Sequence, residues 1–162
     1  MSTISLSDLE FVSREHLAQQ LRSQPASAPA SSIAIIDVRD SDHVGGHIKG
    51  STWVPSSQLD HKTPELIRTL KDKDVVVFHC ALSQQRGPSA ALRYLREKER
   101  VGVAGREEGG GEVGKNEEDG EGKEKKQRVV VLRGGFTEWQ EKYGRDGGLT
   151  EGWERDVWEF GT

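Results

Sequence analysis

Residues 75–96 read Val75-Val76-Val77-Phe78-His79-Cys80-Ala81-Leu82-Ser83-Gln84-Gln85-Arg86-Gly87-Pro88-Ser89-Ala90-Ala91-Leu92-Arg93-Tyr94-Leu95-Arg96. An apolar run of buried-strand type leads in and a helix-forming run leads out. Between them lies a short polar loop, and Gly87-Pro88 suits a helix start, where a missing N–H costs nothing. Strand, tight loop and helix start together make an anion cradle. The first-turn N–H groups have no intrahelical partners, and the helix dipole places partial positive charge there. Arg86 adds a planar two-pronged donor matched to phosphate-like oxygens.

Cys80 is the only cysteine of the chain and stands at the lip of this loop, five residues before Arg86. In such a field a thiol titrates at about 3.5–7.5, where a free one titrates near 8.5. The expected nucleophile is therefore a Cys80 thiolate facing an anion held by Arg86 and the N–H groups of Ala81, Leu82, Ser83, Gln84, Gln85 and Arg86. A lone cysteine at a strand end is otherwise read as a core thiol; the arginine spacing, the polar loop and the Gly-Pro start together favour chemistry. His79 points away from its neighbour in an extended strand, so its expected role is to support the loop through hydrogen bonds. Gly87 is placed with it.

The chain has 162 residues, long enough for one domain with a real core. Its 23 basic and 27 acidic residues leave a net charge of −4, so no broad nucleic-acid footprint is expected. No apolar stretch is of membrane-spanning length, and no signal-peptide pattern is read at the N-terminus. One cysteine excludes an internal disulfide or a cysteine-rich zinc site and suits a reducing compartment, here expected to be cytoplasm, nucleus or both. Any redox cycle at Cys80 must borrow its second thiol from another molecule.

Elsewhere, Leu9 to Val12 reads as a strand, and Ser13 as the N-cap of a helix from Arg14 to Arg22. Residues 23–32 form a loop. Ile33 to Val38 is a buried strand, Gly45 to Gly50 a turn-rich connection, and Ser51 to Val54 a short strand stopped by Pro55. A helix begins at Thr63-Pro64; the helix after the cradle reaches about Arg100. Residues 102–127, rich in Gly, Glu and Lys, read as a disordered insertion. Arg128 to Leu132 resumes as a strand, Gly134-Gly135 turns, and Phe136 to Tyr143 forms a helix. In the tail, 144–162, Trp153, Trp158 and Phe160 are expected to pack on the domain surface. Strands alternating with helices argue for an α/β fold with a parallel sheet, whose ligands bind beyond the carboxyl ends of the strands, where Cys80 lies. His43 and His47 flank Gly45-Gly46, which disfavours a shared helix face, so no metal site is expected. Asp40 and Asp42 read as turn and cap residues. The Lys123 to Lys126 cluster, interrupted by Glu124, is a weak nuclear-targeting signal.

Three segments together resemble the rhodanese-like superfamily, which includes the M-phase inducer dual-specificity phosphatases. They are Ile36-Asp37-Val38-Arg39-Asp40 with Gly46-His47-Ile48-Lys49-Gly50-Ser51, the cradle, and Val131-Leu132-Arg133-Gly134-Gly135-Phe136 with Trp139. They cover about residues 8–143 apart from the insertion. The resemblance implies a five-stranded parallel sheet with helices on both faces, structural roles for Asp37 and Arg39, and a Gly134-Gly135 turn supporting the loop from below.

Within this resemblance loop length divides the chemistry. Sulfurtransferases carry a loop one residue shorter that holds a persulfide; the phosphatase-like branch carries the Cys-x5-Arg loop found here. The wording is closest to the small stand-alone members, some of them tyrosine phosphatases and some arsenate reductases. The first reading is a phosphatase acting through a phosphocysteine on a phosphorylated protein or a small aryl phosphate, with no cofactor. With Ala81 and Gln85 in the loop, no general acid is evident there; a carboxylate elsewhere, such as one in the tail, would have to serve. The alternative is an arsenate reductase using glutathione as co-substrate and glutaredoxin as partner. A thiosulfate sulfurtransferase and a non-catalytic phosphopeptide-binding module are further alternatives, disfavoured by loop length and by the intact Cys80–Arg86 pair respectively.

Overall fold

In a computed structural model of the chain, residues 4–23, 32–109 and 127–160 are described. Strand β1 is Glu10–Val12, followed by helix α1, Arg14–Arg22. Ser13 caps α1, its hydroxyl accepting from the His16 N–H. Then come β2 (Ile33–Asp37), β3 (His47–Ile48), β4 (Thr52–Trp53), α2 (Leu59–Thr69), β5 (Val75–His79), α3 (Arg86–Gly109), β6 (Arg128–Leu132), α4 (Gly135–Tyr143), β7 (Thr150–Glu151) and α5 (Arg155–Phe160). Five strands form one parallel sheet in the order β1-β6-β5-β2-β4.

Period-two alternation sorts the strand side chains to two faces. Ile36, Val76, Phe78, Val129 and Val131 point to one side and pack with Leu59, Leu66, Ala90, Ala91 and Tyr94 of α2 and α3. Ile33, Ile35, Val77, Val130 and Leu132 point to the other and pack with Leu17, Ala18, Phe136, Trp139 and Tyr143 of α1 and α4. The sheet is thus covered on both faces, as its continuous apolar strands require.

Several boundaries differ from the sequence reading. Helix α2 begins at Leu59, and Pro64 sits inside it. A 3-10 turn, Ser56–Gln58, feeds directly into the helix and starts it before the proline is reached. Helix α3 continues past Arg100 and through Gly109, so the insertion as read from sequence begins inside a helix. At its other end Gln127 is anchored, donating to the Leu70 and Lys73 carbonyls and accepting from Tyr94 Oη. Residues 110–126, and the loop residues 24–31, lie outside the described part of the chain.

The Gly45–Gly50 connection contains a strand as well as turns. His47 and Ile48 pair antiparallel with Glu151 and Thr150. The tail therefore closes back on this connection. Trp158 Nε1 donates to the Gly45 carbonyl over 2.9 Å, and Trp139 Nε1 donates to Thr150 Oγ1 over 2.9 Å. A Cβ on Gly45 would lie 2.6 Å from Trp158 Nε1, which explains why a residue without one stands there. The Phe160 side chain is not among those described. No described helix is long and apolar enough to cross a membrane.

Candidate active site

Three carboxyl-terminal strand ends build the site. At the end of β2, Asp37 and Arg39 form a buried ion pair, 0 % and 1 % exposed. Arg39 Nε donates to Asp37 Oδ1 at 3.0 Å and its Nη2 to Oδ2 at 2.7 Å. Arg39 also donates to the Val44 and Gly46 carbonyls and lies over the Phe136 ring, 4.4 Å from its centroid. It thereby ties the Gly45-Gly46 connection to the sheet.

At the end of β5, His79 is fully buried. Its Nδ1 lies 3.0 Å from the Cys80 carbonyl oxygen, so Nδ1 carries the proton and donates. Nε2 then faces Asp37 Oδ2 at 3.9 Å without a hydrogen bond. Burial pushes the His79 pKa down, since the charged ring would lose its hydration. Burial also works against the Asp37 carboxylate, but the neighbouring His79 ring and the Arg39 hydrogen bonds outweigh it and hold that carboxyl below its ordinary range. The geometry gives His79 a link to the loop, through the carbonyl of Cys80.

The loop is supported by α4. Phe136 N–H donates to the Cys80 carbonyl and Thr137 N–H to the Ala81 carbonyl, each over 2.9 Å. Gly134 and Gly135 both take positive φ, +83° and +62°. A Cβ on Gly135 would collide with the Ala81 carbonyl and lie 2.6 Å from the Cys80 carbonyl oxygen. Here a glycine is required by φ and by close approach at once.

Within the loop Ser83 has φ +58°, the left-handed region, and is buried. Its N–H donates to Cys80 Sγ over 3.1 Å, and its Oγ accepts from the Cys80 N–H over 3.3 Å. The strand alternation places Cys80 on the face of Val76 and Phe78, against Ala90 and Ala91. Cys80 is accordingly more covered than a residue at the lip of a loop suggests, at 3 % exposure. Leu82 at the loop crest is half exposed. Gly87 leaves little room above the chain: a Cβ there would meet Ser83 Oγ at 3.2 Å and His79 Cα at 3.3 Å.

Arg86 is the first residue of α3. Its guanidinium is clasped by two carboxylates from the loop after β2. Nη1 and Nη2 reach Asp42 Oδ1 and Oδ2 at 2.8 and 2.6 Å, and Nη1 reaches Asp40 Oδ2 at 3.4 Å. The hydrogen bonds to Asp42 push the Arg86 pKa up, with further contributions from the Asp42 and Cys80 charges. The same bonds bring the Asp42 carboxyl down to about 2. Asp40 is lowered chiefly by the Ser56 hydroxyl that it accepts from. Beside Arg86 lies a cleft of about 290 Å³, lined by Ser56, Leu59, Gln85, Arg86, Ser89, Ala90 and Arg93.

Asp40 and Asp42, read from the sequence as turn and cap residues, thus also meet Arg86. Two acids just beyond the carboxyl end of β2, in a sheet where β2 adjoins β5, are the signal for that contact. His43 and His47 go to different partners: His43 stacks on Trp53 at 4.3 Å and lies 3.5 Å from Asp37, while His47 pairs with Glu151. Among the described residues no group of three or more His, Cys, Asp or Glu side chains is arranged to hold a metal ion.

Residues 15–142 match the rhodanese-like domain family. The chain belongs to this family. The rhodanese-like chain is 31 % identical to the CDC25-like phosphatase YCH1 of Saccharomyces cerevisiae, over 98 % of its own length and 99 % of the relative's. It is 36 % identical to arsenate reductase 2.1 of rice, Oryza sativa subsp. japonica, over 82 % of its length and 68 % of that protein's. Its fold matches the crystal structure of Saccharomyces cerevisiae Ygr203w, described as a homolog of single-domain rhodanese and the Cdc25 phosphatase catalytic domain. That match has a TM-score of 0.69, 31 % identity, and covers 98 % and 97 % of the two chains. The rhodanese-like α/β fold with a five-stranded parallel sheet is therefore as the sequence resemblance implies, and the relatives are phosphatases and arsenate reductases of this family.

Proposed function

We propose that this rhodanese-like protein is a cysteine-dependent phosphatase of the protein tyrosine or dual-specificity type. The observation that carries the reading is the joint position of Cys80 and Arg86 on one loop at the carboxyl end of β5, with the Ser83 N–H turned onto the sulfur at 3.1 Å. Cys80 Sγ attacks phosphorus and the ester oxygen leaves with the electron pair of the broken P–O bond. The phosphocysteine is then cleaved by water, giving inorganic phosphate and the free thiolate. Arg86 and the loop N–H groups offset the charge on the phosphoryl oxygens. Cys80 is buried, so a phosphoryl group carried on a slender aryl ester is the substrate form that suits it best.

The ester oxygen needs a proton unless it is a good leaving group. Asp42, with its carboxyl near 2, is ionised at neutral pH and unsuited to donate one. This favours substrates with stable phenolate leaving groups. It is also the observation that keeps the second reading, arsenate reduction. There Cys80 displaces water from arsenate, and two thiols supply two electrons as As(V) becomes As(III), closing a disulfide. With Cys80 the chain's one thiol, glutathione and a glutaredoxin would supply the rest.

The test is hydrolysis of p-nitrophenyl phosphate beside arsenite production with glutathione and glutaredoxin, on the wild type and Cys80→Ser. The expected result is aryl-phosphate turnover lost in Cys80→Ser. Equal slow hydrolysis by both proteins would overturn the phosphatase reading; arsenite formation without hydrolysis would establish the second. Arg86→Ala is expected to weaken oxyanion inhibition by about 1.5–3 kcal/mol, the worth of a charge-assisted hydrogen bond.

A further inference from the structure

A guanidinium has five N–H donors in a fixed plane. In Arg86 two of them, one on each Nη, point end-on at the two oxygens of Asp42. The outward hydrogen of Nη1 faces Asp40. Nε makes no hydrogen bond among the described residues. What is left is the side edge, the Nε–H and the outward Nη2–H, which run parallel and match two oxygens of a tetrahedral anion. The carboxylates are themselves fixed. Asp40 accepts from the Ser56 hydroxyl and from the Ser57 N–H at 3.1 Å, and Asp42 accepts from the Asp40 N–H at 2.9 Å. This frame hangs on the short turn that leads into α2, apart from the loop that carries Cys80.

We propose that Asp42 is a positioning residue, which holds the Arg86 guanidinium end-on so that its Nε–Nη2 edge is presented to the oxyanion over Cys80. The proposal rests on the oxyanion-binding reading of the site. Two effects oppose each other. A fixed negative charge near the site repels an anion, and a long side chain already held in place loses less freedom when the anion arrives. Both carboxylates are partly exposed, at 34 % and 41 %, so solvent screens the repulsion. Orientation depends on hydrogen-bond geometry and is not screened in the same way; it wins.

The experiment is calorimetric titration of the full chain with sodium tungstate, a tetrahedral dianion, with p-nitrophenyl phosphate turnover measured alongside. Asp42→Asn keeps the shape and removes the charge. The expected result is tungstate affinity roughly tenfold weaker, from the loss of charge-assisted bonds that orient Arg86. In an Arg86→Lys background, which has no two-pronged edge to orient, the same change should cost less than about twofold. Ser56→Ala, which loosens only Asp40, should weaken binding about threefold. Unchanged or tighter tungstate binding in Asp42→Asn would overturn the proposal, and so would an equal loss in both backgrounds. A wild type that binds no tungstate would overturn it as well. Failure of the phosphatase reading shows differently, as tungstate binding that depends on Asp42 without any hydrolysis.

Discussion

Cys80 and Ser83 hold each other through a reciprocal pair of bonds, Ser83 N–H to Cys80 Sγ at 3.1 Å and Cys80 N–H to Ser83 Oγ at 3.3 Å. The hydroxyl satisfies a buried backbone donor, while the left-handed backbone of Ser83, φ +58°, aims its own N–H at the sulfur. Ser83→Ala leaves the Cys80 N–H without its partner and keeps the backbone cost, so a loss of about 1–3 kcal/mol is expected. Ser83→Gly loses the same acceptor but adopts positive φ freely, and should be more stable than Ser83→Ala by about 1 kcal/mol. Urea unfolding of the two variants measures the difference; an alanine variant as stable as the glycine variant would contradict it.

Gly135 tolerates no side chain. Alanine there carries a Cβ into the carbonyls of Ala81 and Cys80, both backbone atoms with no rotamer to yield, at a φ of +62°. Gly135→Ala is expected to lose at least about 2 kcal/mol, from strain and overpacking together, and to lower turnover by displacing the loop. Gly50→Ala is the control. Its φ is +84° but its Cβ would meet nothing within 4 Å, so only the conformational cost of about 1 kcal/mol remains. Equal melting temperatures for the two variants would refute the packing argument.

The Asp37–Arg39 pair is wholly buried, so breaking it from one side strands a charge. Arg39→Ala is expected to cost about 3–5 kcal/mol. It also leaves the Val44 and Gly46 carbonyls without donors and should loosen the Gly45–Ile48 segment. Adding Asp37→Ala to that variant should cost much less than Asp37→Ala alone, because the stranded carboxylate is then gone. Additive losses across the double-mutant cycle would show that the pair does not act as a unit.

His79 gives the stability a pH slope. Its folded pKa lies below that of an unfolded histidine because burial opposes the charged ring. Below about pH 6.5 the unfolded chain therefore takes up a proton that the native chain refuses, and stability falls as pH drops until the folded pKa is reached. One such proton contributes at most about 1.4 kcal/mol per pH unit. His43, lowered chiefly by burial too, adds in the same direction. Denaturant unfolding at pH 7.5 and 5.5 should show the loss, and His79→Gln should reduce it. A His79→Gln protein with the wild-type slope would remove His79 as its source.

What the sequence made legible followed from local rules. The apolar runs at Ile33 to Ile36, Val75 to Phe78 and Val129 to Leu132 announced a covered parallel sheet, and Ser13 announced the start of α1. The Cys80–Arg86 spacing announced the loop between β5 and α3. What stayed hidden depended on contacts across the chain. The acids beyond β2 point to Arg86, 44 residues away, only once β2 is known to adjoin β5, and no local signal tells that Trp158 lies against Gly45, 113 residues away. The early start of α2 was masked by a proline that usually opens a helix and here sits within one. The cover over Cys80 comes from Ala90 and Ala91 of α3, which the fold packs against the strand face that Cys80 extends.

The route of α3 has a practical corollary. The helix leaves the reactive end of the sheet at Arg86 and travels 24 residues, about 36 Å, to Gly109, and the chain re-enters at Arg128, which is paired with Val75 at the amino end of β5. Whatever is spliced between those two points attaches to the pole opposite Cys80. That junction is a natural graft point for a fluorescent reporter or affinity handle, and lengthening or trimming it should leave turnover at Cys80 untouched.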